Sequence, residues 1–172
     1  MIVQRRRVED TRGFLTRLYA AESFESAGLR TRIVQINHTL TKRAGVVRGM
    51  HFQNPPSPET KVVACIRGEV FDVAVDLRKG SPTFLQWHAE VLSSLNDRSL
   101  VVPDGVAHGF QALTRDCELV YLHTAPYDPL REGGVSAVDP RLGIAWPIPI
   151  SEMSERDRSY PLLSSTFGGI DV

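Results

Sequence analysis

The sequence predicts an all-β protein built as an antiparallel sandwich or barrel with minor helices. Six or more short runs are rich in β-branched and aromatic residues, which favour strands. Closely spaced turn residues separate these runs, and little helical periodicity lies between them, as is typical of sandwiches and barrels. The chain has 172 residues, a length that suits one core, so we expect a single domain over 1–172.

The parts of the chain outside the central strands predict little regular structure. AAESFESAGL, residues 20–29, has helix-forming content, and Gly28 is placed as a stop signal. IVQINHTL, residues 33–40, has the β-branched content of a strand. After residue 127 the chain is rich in Pro and Gly, and only 151–159 predicts one or two helical turns.

The segment KVVACIRGEVFDVAVDLRKGSPTF, residues 61–84, predicts a hairpin. Its first strand ends at a turn over 67–69, and its second strand places Phe71, Val73 and Val75 on one face. A Gly-Ser-Pro turn then ends the hairpin. Further β-rich runs continue the fold, separated by Asn-Asp, Pro-Asp-Gly and Arg-Asp turns: 84–92, 99–105, 108–114 and 117–125.

Composition excludes several classes of function. Twenty Lys and Arg balance twenty Asp and Glu, and the pI is near 7.0. The chain therefore lacks the net positive charge expected of a nucleic-acid-binding protein. No segment approaches the ~20 apolar residues that cross a bilayer, and no signal peptide follows the N-terminal arginines. Cys65 and Cys117 each stand in an apolar stretch, which suits buried thiols in a reducing compartment. We therefore expect a cytoplasmic protein with no nucleic-acid or membrane partner.

Two of the five histidines, His51 and His108, stand near glycines that permit close backbone approach. A single histidine in a β-rich chain is more often structural than catalytic. However, PDGVAH (103–108) resembles the second motif of cupin β-barrels, and RGMHFQ (48–53) occupies the place of the first. A metal-binding cupin offers His-x-His there, whereas residue 53 is Gln. Two imidazoles without a carboxylate make a poor metal site, so we expect no metal or other cofactor.

Six strings are the most specific feature, and the likeness they carry covers about Asp10 to Asp157: RGMHFQ (48–53), KVVACIRGEVFDVAVDLRKGSPTF (61–84), VPDGVAHGF (102–110), YLHTAPYDPLRE (121–132), VDPRLGIAWP (138–147) and SERD (154–157). In this order and with similar gaps, they resemble the dTDP-4-dehydrorhamnose 3,5-epimerase family. The resemblance implies a cupin-like jelly roll, usually a homodimer. It also implies action on a nucleotide-linked 4-keto-6-deoxyhexose without a metal or organic cofactor.

Epimerisation beside a ketone requires three groups around the reacting carbon. A base removes an α-proton, an electrophile holds the enolate oxygen, and an acid on the opposite face returns a proton. The resemblance matches His51 to the base, Asp157 to its carboxylate partner and Tyr121 to the acid. A strand tyrosine more often packs in a core, and Tyr127 competes for the acid role on residue type. The position within the motif favours Tyr121.

The resemblance matches Lys61 to the lysine that stabilises the enolate. A lysine at a strand start is ordinarily a solvated edge charge. Asp76, however, lies in the apolar run FDVAVDL, where an ionised side chain is costly unless it is paired. The resemblance pairs Asp76 with Lys61. Asp72 shares its strand face by even spacing, so the pattern of the residues leaves both aspartates open.

Arginines and amides are expected to bind the nucleotide. The resemblance matches Arg12 and Arg48 to contacts with the diphosphate or sugar, which suit bidentate guanidinium donors. QINHT resembles the Gln-x-Asn pair of the same cleft. Where the family often has Phe-x-Glu, this chain has FLTR, so Arg17 replaces an acidic contact and leaves the base preference open. The expected substrate-binding residues are Arg12, Phe14, Gln35, Asn37, Arg48, His108 and Tyr127.

The leading interpretation is an epimerase that exchanges α-protons at C3, C5 or both of a 4-keto-6-deoxy sugar bound to a nucleotide, expected to be dTDP. A sugar-nucleotide-binding cupin without activity is the first alternative, but binding needs no opposed acid and base. A metal-dependent cupin enzyme is the second, and the absent His-x-His disfavours it. The residues do not separate one reacting carbon from two.

Overall fold

The computed structural model describes residues 1–29 and 32–172, which form twelve strands and two short helices. The strands are β1 (Ile2–Gln4), β2 (Arg7–Asp10), β3 (Gly13–Thr16), β4 (Gln35–Thr41), β5 (Val47–Gln53), β6 (Lys61–Arg67), β7 (Glu69–Asp76), β8 (Trp87–Ser93), β9 (Arg98–Val102), β10 (Val106–Ala112), β11 (Cys117–His123) and β12 (Glu132–Gly134). The helices are α1 (Ala21–Ser26) and α2 (Glu155–Ser159). The predicted all-β content with minor helices is confirmed.

Two five-stranded antiparallel sheets form the sandwich. The first sheet has the order β1-β9-β6-β11-β4, and the second has the order β12-β5-β10-β7-β8. Most neighbours in space are not neighbours in sequence, as in jelly rolls. Strands β2 and β3 form a separate two-stranded ribbon. The sandwich predicted from the sequence is therefore present, and its connections are those of the cupin-like fold.

The predicted hairpin over 61–84 is wrong in its pairing, although both of its strands exist. Strand β6 pairs with β9 and β11, whereas β7 pairs with β8 and β10 in the opposite sheet. The chain crosses between the sheets at Gly68, which has a φ of +75°. A Cβ there would press on Thr114 and Cys117, so glycine allows the tight crossing. Turn residues mark a change of direction but do not distinguish a hairpin from a crossing.

The space between the sheets has an apolar half and a polar half. Val63 on β6, Phe110 on β10 and Leu119 on β11 belong to one buried apolar cluster. Two residues from Val63 and Leu119, on the same inward faces, lie Lys61 and Tyr121. The inward face of each strand thus changes from apolar to polar along its length. This change places a polar cleft at one end of the sandwich.

The outer faces of both sheets are covered by segments outside the sandwich. Phe24 of α1 packs on Val62, Val101 and Leu122 of the first sheet. Trp146 and other residues of the C-terminal segment pack on the second sheet. Neither helix in the described ranges is long and apolar enough to span a membrane.

Candidate active site

The polar half of the sandwich opens into a cavity of about 1220 Å³ between the two sheets. Its walls come mainly from β4, β5, β6, β10 and β11. Most of the predicted site residues line it: Gln35, Asn37, Arg48, His51, Lys61, His108, Tyr121, Tyr127 and Asp157. Three predicted residues do not line it: Arg12, Phe14 and Asp76.

His51 and Asp157 form a hydrogen-bonded pair on the wall of the second sheet. His51 Nε2 lies 2.7 Å from Asp157 Oδ1. Helix α2 presents the aspartate, because Ser154 caps its N-terminus and accepts the Asp157 backbone N–H at 3.0 Å. Burial by itself raises the pKa of Asp157, but hydrogen bonds from His51, Ser154 and Gly49 outweigh it and lower the pKa below 3.8. The carboxylate is therefore held ionised beside the imidazole.

Residues that the sequence did not indicate surround this pair. The Tyr160 ring stands edge-on to His51, with ring centroids 5.8 Å apart. Gly134 makes room for it, since a Cβ on Gly134 would overlap the Tyr160 ring. Arg156 Nη2 lies 3.5 Å from His51 Nε2, and Arg156 Nη1 lies 2.9 Å from Glu132. The histidine is thus confined on several sides.

Tyr121 lies on the opposite wall, on β11 of the first sheet. Its ring is stacked near His123 and edge-on to His108, with centroid distances of 6.2 Å and 5.9 Å. Burial, with a smaller contribution from the charge of Asp72, raises the pKa of Tyr121 well above 10.0. The phenol therefore keeps its proton at neutral pH. A base candidate and a proton donor face one cavity from different sheets.

A second buried His–Asp pair lies beside Tyr121. His108 Nε2 is 2.8 Å from Asp72 Oδ1, and both side chains are buried. In the register of β10 and β7, His108 lies opposite Ala74. Asp72 is two residues before Ala74 on the same face of β7, and from there its carboxylate contacts the histidine. The sequence indicated that Asp72 and Asp76 share a strand face. It did not indicate that Asp72 would partner the cavity histidine.

The predicted pairing of Lys61 with Asp76 is wrong. Lys61 Nζ lies 2.8 Å from Glu59, and the two side chains are largely buried. Asp76 instead accepts hydrogen bonds from Arg78, Ser81 and Thr83, each between 2.6 and 3.0 Å. The reason is the crossing at residue 68, which separates β6 and β7 into different sheets. Asp76 is then compensated by the turn that follows its own strand.

The candidate nucleotide-binding residues line the cavity along β4 and its neighbours. Gln35 and Asn37 are joined by a 3.1 Å hydrogen bond. Arg48 donates to Thr41 Oγ1 at 3.0 Å, which directs its guanidinium along β4. Tyr127 is 54% exposed, and its hydroxyl donates to Glu132 at 2.9 Å.

Arg12 and Phe14 belong to the β2–β3 ribbon and do not reach the cavity of their own chain. The Arg12 side chain is 88% exposed and is bound to Asp10. Phe14 is 58% exposed, with the Arg7 guanidinium 4.1 Å from its ring centre. Within a single chain, the expectation that these two residues bind substrate is not met.

Two further cavity residues that the sequence analysis missed are Glu59 and His123. His123 lies two positions after Tyr121, so the same strand face could have indicated it. Glu59 precedes β6 in a proline-containing loop and gave no pattern. Within residues 1–29 and 32–172, no three His, Cys, Asp or Glu side chains are grouped so as to hold a metal ion.

Comparisons with known proteins agree with the motifs. The sequence model described as dTDP-4-dehydrorhamnose 3,5-epimerase matches residues 1–165. The dTDP-4-dehydrorhamnose 3,5-epimerase of Salmonella typhimurium is 44% identical over 156 residues, which cover 90% of this chain and 85% of that protein. A dTDP-4-dehydrorhamnose 3-epimerase of Streptomyces niveus is 41% identical over 156 residues, covering 90% and 75%.

The solved structures agree as well. The crystal structure of the Bacillus anthracis dTDP-4-dehydrorhamnose 3,5-epimerase, with TDP and PPi bound, superposes with a TM-score of 0.92 at 40% identity. The superposition covers 94% of this chain and 93% of that one. The likeness therefore extends over nearly the whole fold and includes the cavity.

Proposed function

The chain belongs to the dTDP-4-dehydrorhamnose 3,5-epimerase family, and from that premise we propose a role for each group in its cavity. The protein is an isomerase that epimerises a nucleotide-linked 4-keto-6-deoxyhexose, and its ligand is a sugar nucleotide. The alternatives of a binding protein without activity and of a metal-dependent cupin are not favoured. The observation that carries the proposal is that the His51–Asp157 pair and Tyr121 occupy opposite walls of one cavity.

The first proposed step is removal of the α-proton by His51. Asp157 accepts the Nε2 proton at 2.7 Å, so the lone pair of the neutral ring lies on Nδ1. When His51 takes the substrate proton, the buried carboxylate stabilises the imidazolium that forms. The C–H electron pair becomes the enolate, whose negative charge moves to the C4 oxygen.

The second proposed step is stabilisation of that oxygen. Lys61 supplies a positive charge and N–H donors at the start of β6, and the buried His108–Asp72 pair lines the same cavity. Donors that are already in place when charge develops contribute strongly to rate, about 100-fold to 1000-fold for one donor. The burial of the lysine makes the interaction stronger than it would be in water.

The third proposed step is proton return by Tyr121. The phenol lies in the first sheet and His51 in the second, so the two approach the sugar from opposite faces. Delivery to the face opposite the base inverts the carbon. Arg48, Gln35, Asn37 and Tyr127 then bind the sugar nucleotide, which we propose to be dTDP-4-keto-6-deoxyglucose or a derivative.

We propose that the protein is a homodimer in which the β2–β3 ribbon of one copy covers the cavity of the other. Phe14 and Leu15 of the ribbon are 58% and 66% exposed, and Ile36 on the edge strand β4 is 65% exposed. This arrangement would bring Arg12 and Phe14 to a cavity that they do not reach in their own chain. In sedimentation, Phe14→Asp is expected to shift dimer to monomer, and a monomeric wild-type protein would contradict the arrangement.

We also propose that residues 1–172 form one domain in the cytoplasm. Strand β1 near the N-terminus lies in the same sheet as β11, which supports a single folding unit. Cys65 and Cys117 are free and buried, as expected for a protein of a reducing compartment.

The decisive test is incubation with dTDP-4-keto-6-deoxyglucose in deuterium oxide, followed by NMR at C3 and C5. Deuterium at both carbons indicates a 3,5-epimerase, and deuterium at one carbon indicates a monoepimerase. Binding of the nucleotide without deuterium at either carbon would contradict the proposed epimerase chemistry.

A further inference from the structure

A buried carboxylate that the proposed steps do not use lies directly beside Lys61. Glu59 Oε1 is 2.8 Å from Lys61 Nζ, and Glu59 Oε2 is 2.8 Å from His123 Nδ1. The side chains of Glu59, Lys61 and His123 are only 10%, 10% and 11% exposed. In the described part of the chain, Glu59 is the only acidic residue within 4.0 Å of the lysine. One carboxylate is therefore shared between the lysine and a histidine.

The backbone holds this group in position. Lys61 and His123 are directly opposite each other in the register of β6 and β11. Thr60 N donates to Thr124 Oγ1 at 2.9 Å, and Thr124 N donates to Thr60 O at 3.1 Å. These bonds join the residues that directly follow Glu59 and His123. The contact with Lys61 is thus built into the pairing of two central strands.

A chain of hydrogen bonds fixes the orientation of His123. The backbone N–H of Tyr127 donates to Gln35 Oε1 at 2.9 Å, so the amide nitrogen of Gln35 faces Asn37 Oδ1. Asn37 Nδ2 in turn lies 3.2 Å from His123 Nε2 and donates to it. His123 then donates from Nδ1 to Glu59, because an ionised carboxylate only accepts. These contacts assign the Nδ1–H of His123 to Glu59 and the Nε2 position to Asn37.

We propose that Glu59, oriented by His123, is a positioning residue that keeps the Lys61 ammonium charged and aimed at the enolate oxygen. This inference rests on the proposed role of Lys61. An isolated buried ammonium tends to lose its proton, whereas an adjacent carboxylate favours the charged form. Glu59 accepts one of the three ammonium protons and leaves the others for the cavity. Further titratable groups that line the same cavity include His51, His108, Tyr121, Tyr127, Glu132 and Asp157.

Glu59→Gln removes the negative charge and keeps nearly the same side-chain volume. We expect kcat for deuterium exchange to fall about 10-fold to 100-fold, with KM within threefold of the wild-type value. We also expect the alkaline fall of kcat to begin at lower pH, since the neighbouring negative charge is gone. In a Lys61→Met background the same substitution should have no further effect, because Glu59 acts through the lysine.

Glu118→Gln is a matched control. Glu118 binds His38 at 2.9 Å and Arg67 at 3.2 Å on the outer face of the first sheet, so it also joins a histidine to a cation. We expect wild-type kcat and an unchanged pH profile for this variant. Thermal unfolding of each variant establishes that it is folded before kcat is compared.

The outcomes separate this inference from the proposed function. Wild-type kcat and pH profile in Glu59→Gln, with Lys61→Met impaired, would overturn the positioning role and leave the lysine's role intact. Equal losses from Glu59→Gln in both backgrounds would overturn it as well. A wild-type kcat in Lys61→Met would overturn the proposed role of the lysine, and the inference with it.

Discussion

Asp157 Oδ1 lies 2.7 Å from His51 Nε2, although 106 positions separate the two residues in the sequence. The short helix α2 and its Ser154 cap bring the carboxylate to the strand that carries the histidine. The pair thus depends on the C-terminal segment being docked against the second sheet. Its chemistry can be tested at either residue.

Asp157→Asn should leave the ring in place but remove the charge that stabilises the imidazolium. We expect kcat to fall by about 100-fold to 10⁴-fold with little change in nucleotide binding. Steady-state kinetics and a binding titration with dTDP measure the two effects. A loss of binding equal to the loss of kcat would point to a structural role instead.

His51→Ala should abolish solvent exchange at every reactive carbon, because no enolate forms without the base. Binding of the sugar nucleotide is expected to stay within a few fold of the wild-type value. Deuterium incorporation followed by NMR is the measurement. If substantial exchange persists, another residue is the base, and His108 is the next candidate because it lines the same cavity.

Tyr121→Phe keeps the ring but removes the phenolic proton. Enolate formation can continue, and protonated His51 can return a proton to the face from which it came. We therefore expect deuterium incorporation with retained configuration to persist after epimerisation is lost. Tyr127→Phe is the comparison, since that hydroxyl is exposed and bound to Glu132. Normal epimerisation in Tyr121→Phe together with its loss in Tyr127→Phe would make Tyr127 the acid.

Asp76→Asn tests the stability that this carboxylate contributes through its own turn. Burial alone raises the pKa of Asp76, but hydrogen bonds from Arg78, Ser81 and Thr83 outweigh it and hold the pKa well below 3.8. Because the folded-state pKa is depressed, the contribution is complete above about pH 4 and is lost as the pH falls through the folded-state value. We expect a loss of about 2 kcal/mol at pH 7 that narrows in acid, measured by denaturant unfolding. An equal difference at pH 7 and pH 2.5 would contradict this account.

Gly134→Ala tests the packing of Tyr160 against the His51 wall. A methyl group at 134 would overlap the Tyr160 ring, so we expect a loss of about 1–3 kcal/mol in the free energy of unfolding. In a Tyr160→Ala background, Gly134→Ala should cost much less than it does in the wild-type chain, because the ring that the methyl group would overlap is absent. Denaturant unfolding of the single and double variants measures the difference. Additive losses would show that the ring is not the obstacle.

Seven of the strands and most of the cavity residues could be predicted from the sequence, whereas five strands were not predicted: β1, β2, β3, β5 and β12. The strings that resemble the epimerase family indicated which residues of the strands carry chemistry. The partner of Lys61 could not be predicted in this way. Glu59 lies two positions before the lysine in a loop without a strand pattern, and Asp76 is compensated by the turn that follows its own strand.

The β2–β3 ribbon shows a different limit. Arg12 and Phe14 carry the expected motif but lie outside the cavity of their own chain. A motif indicates that a residue is used and says nothing about which copy of the chain uses it. The family resemblance already implied a second copy, and the exposure of the ribbon on the folded chain indicates which part of the chain would contact it.

Because His51 and Tyr121 lie on different sheets, the distance between the sheets affects the rate of the proposed proton transfers. Facing sheets pack about 10 Å apart, and that separation is set by the side chains of the whole apolar half. A larger side chain at Val63 or Leu119 would press the sheets apart and also push on Tyr121, which packs against the same apolar cluster. Proton-transfer rates fall steeply with donor–acceptor distance, so the volume of this apolar core affects how readily a carbon is inverted between the two walls.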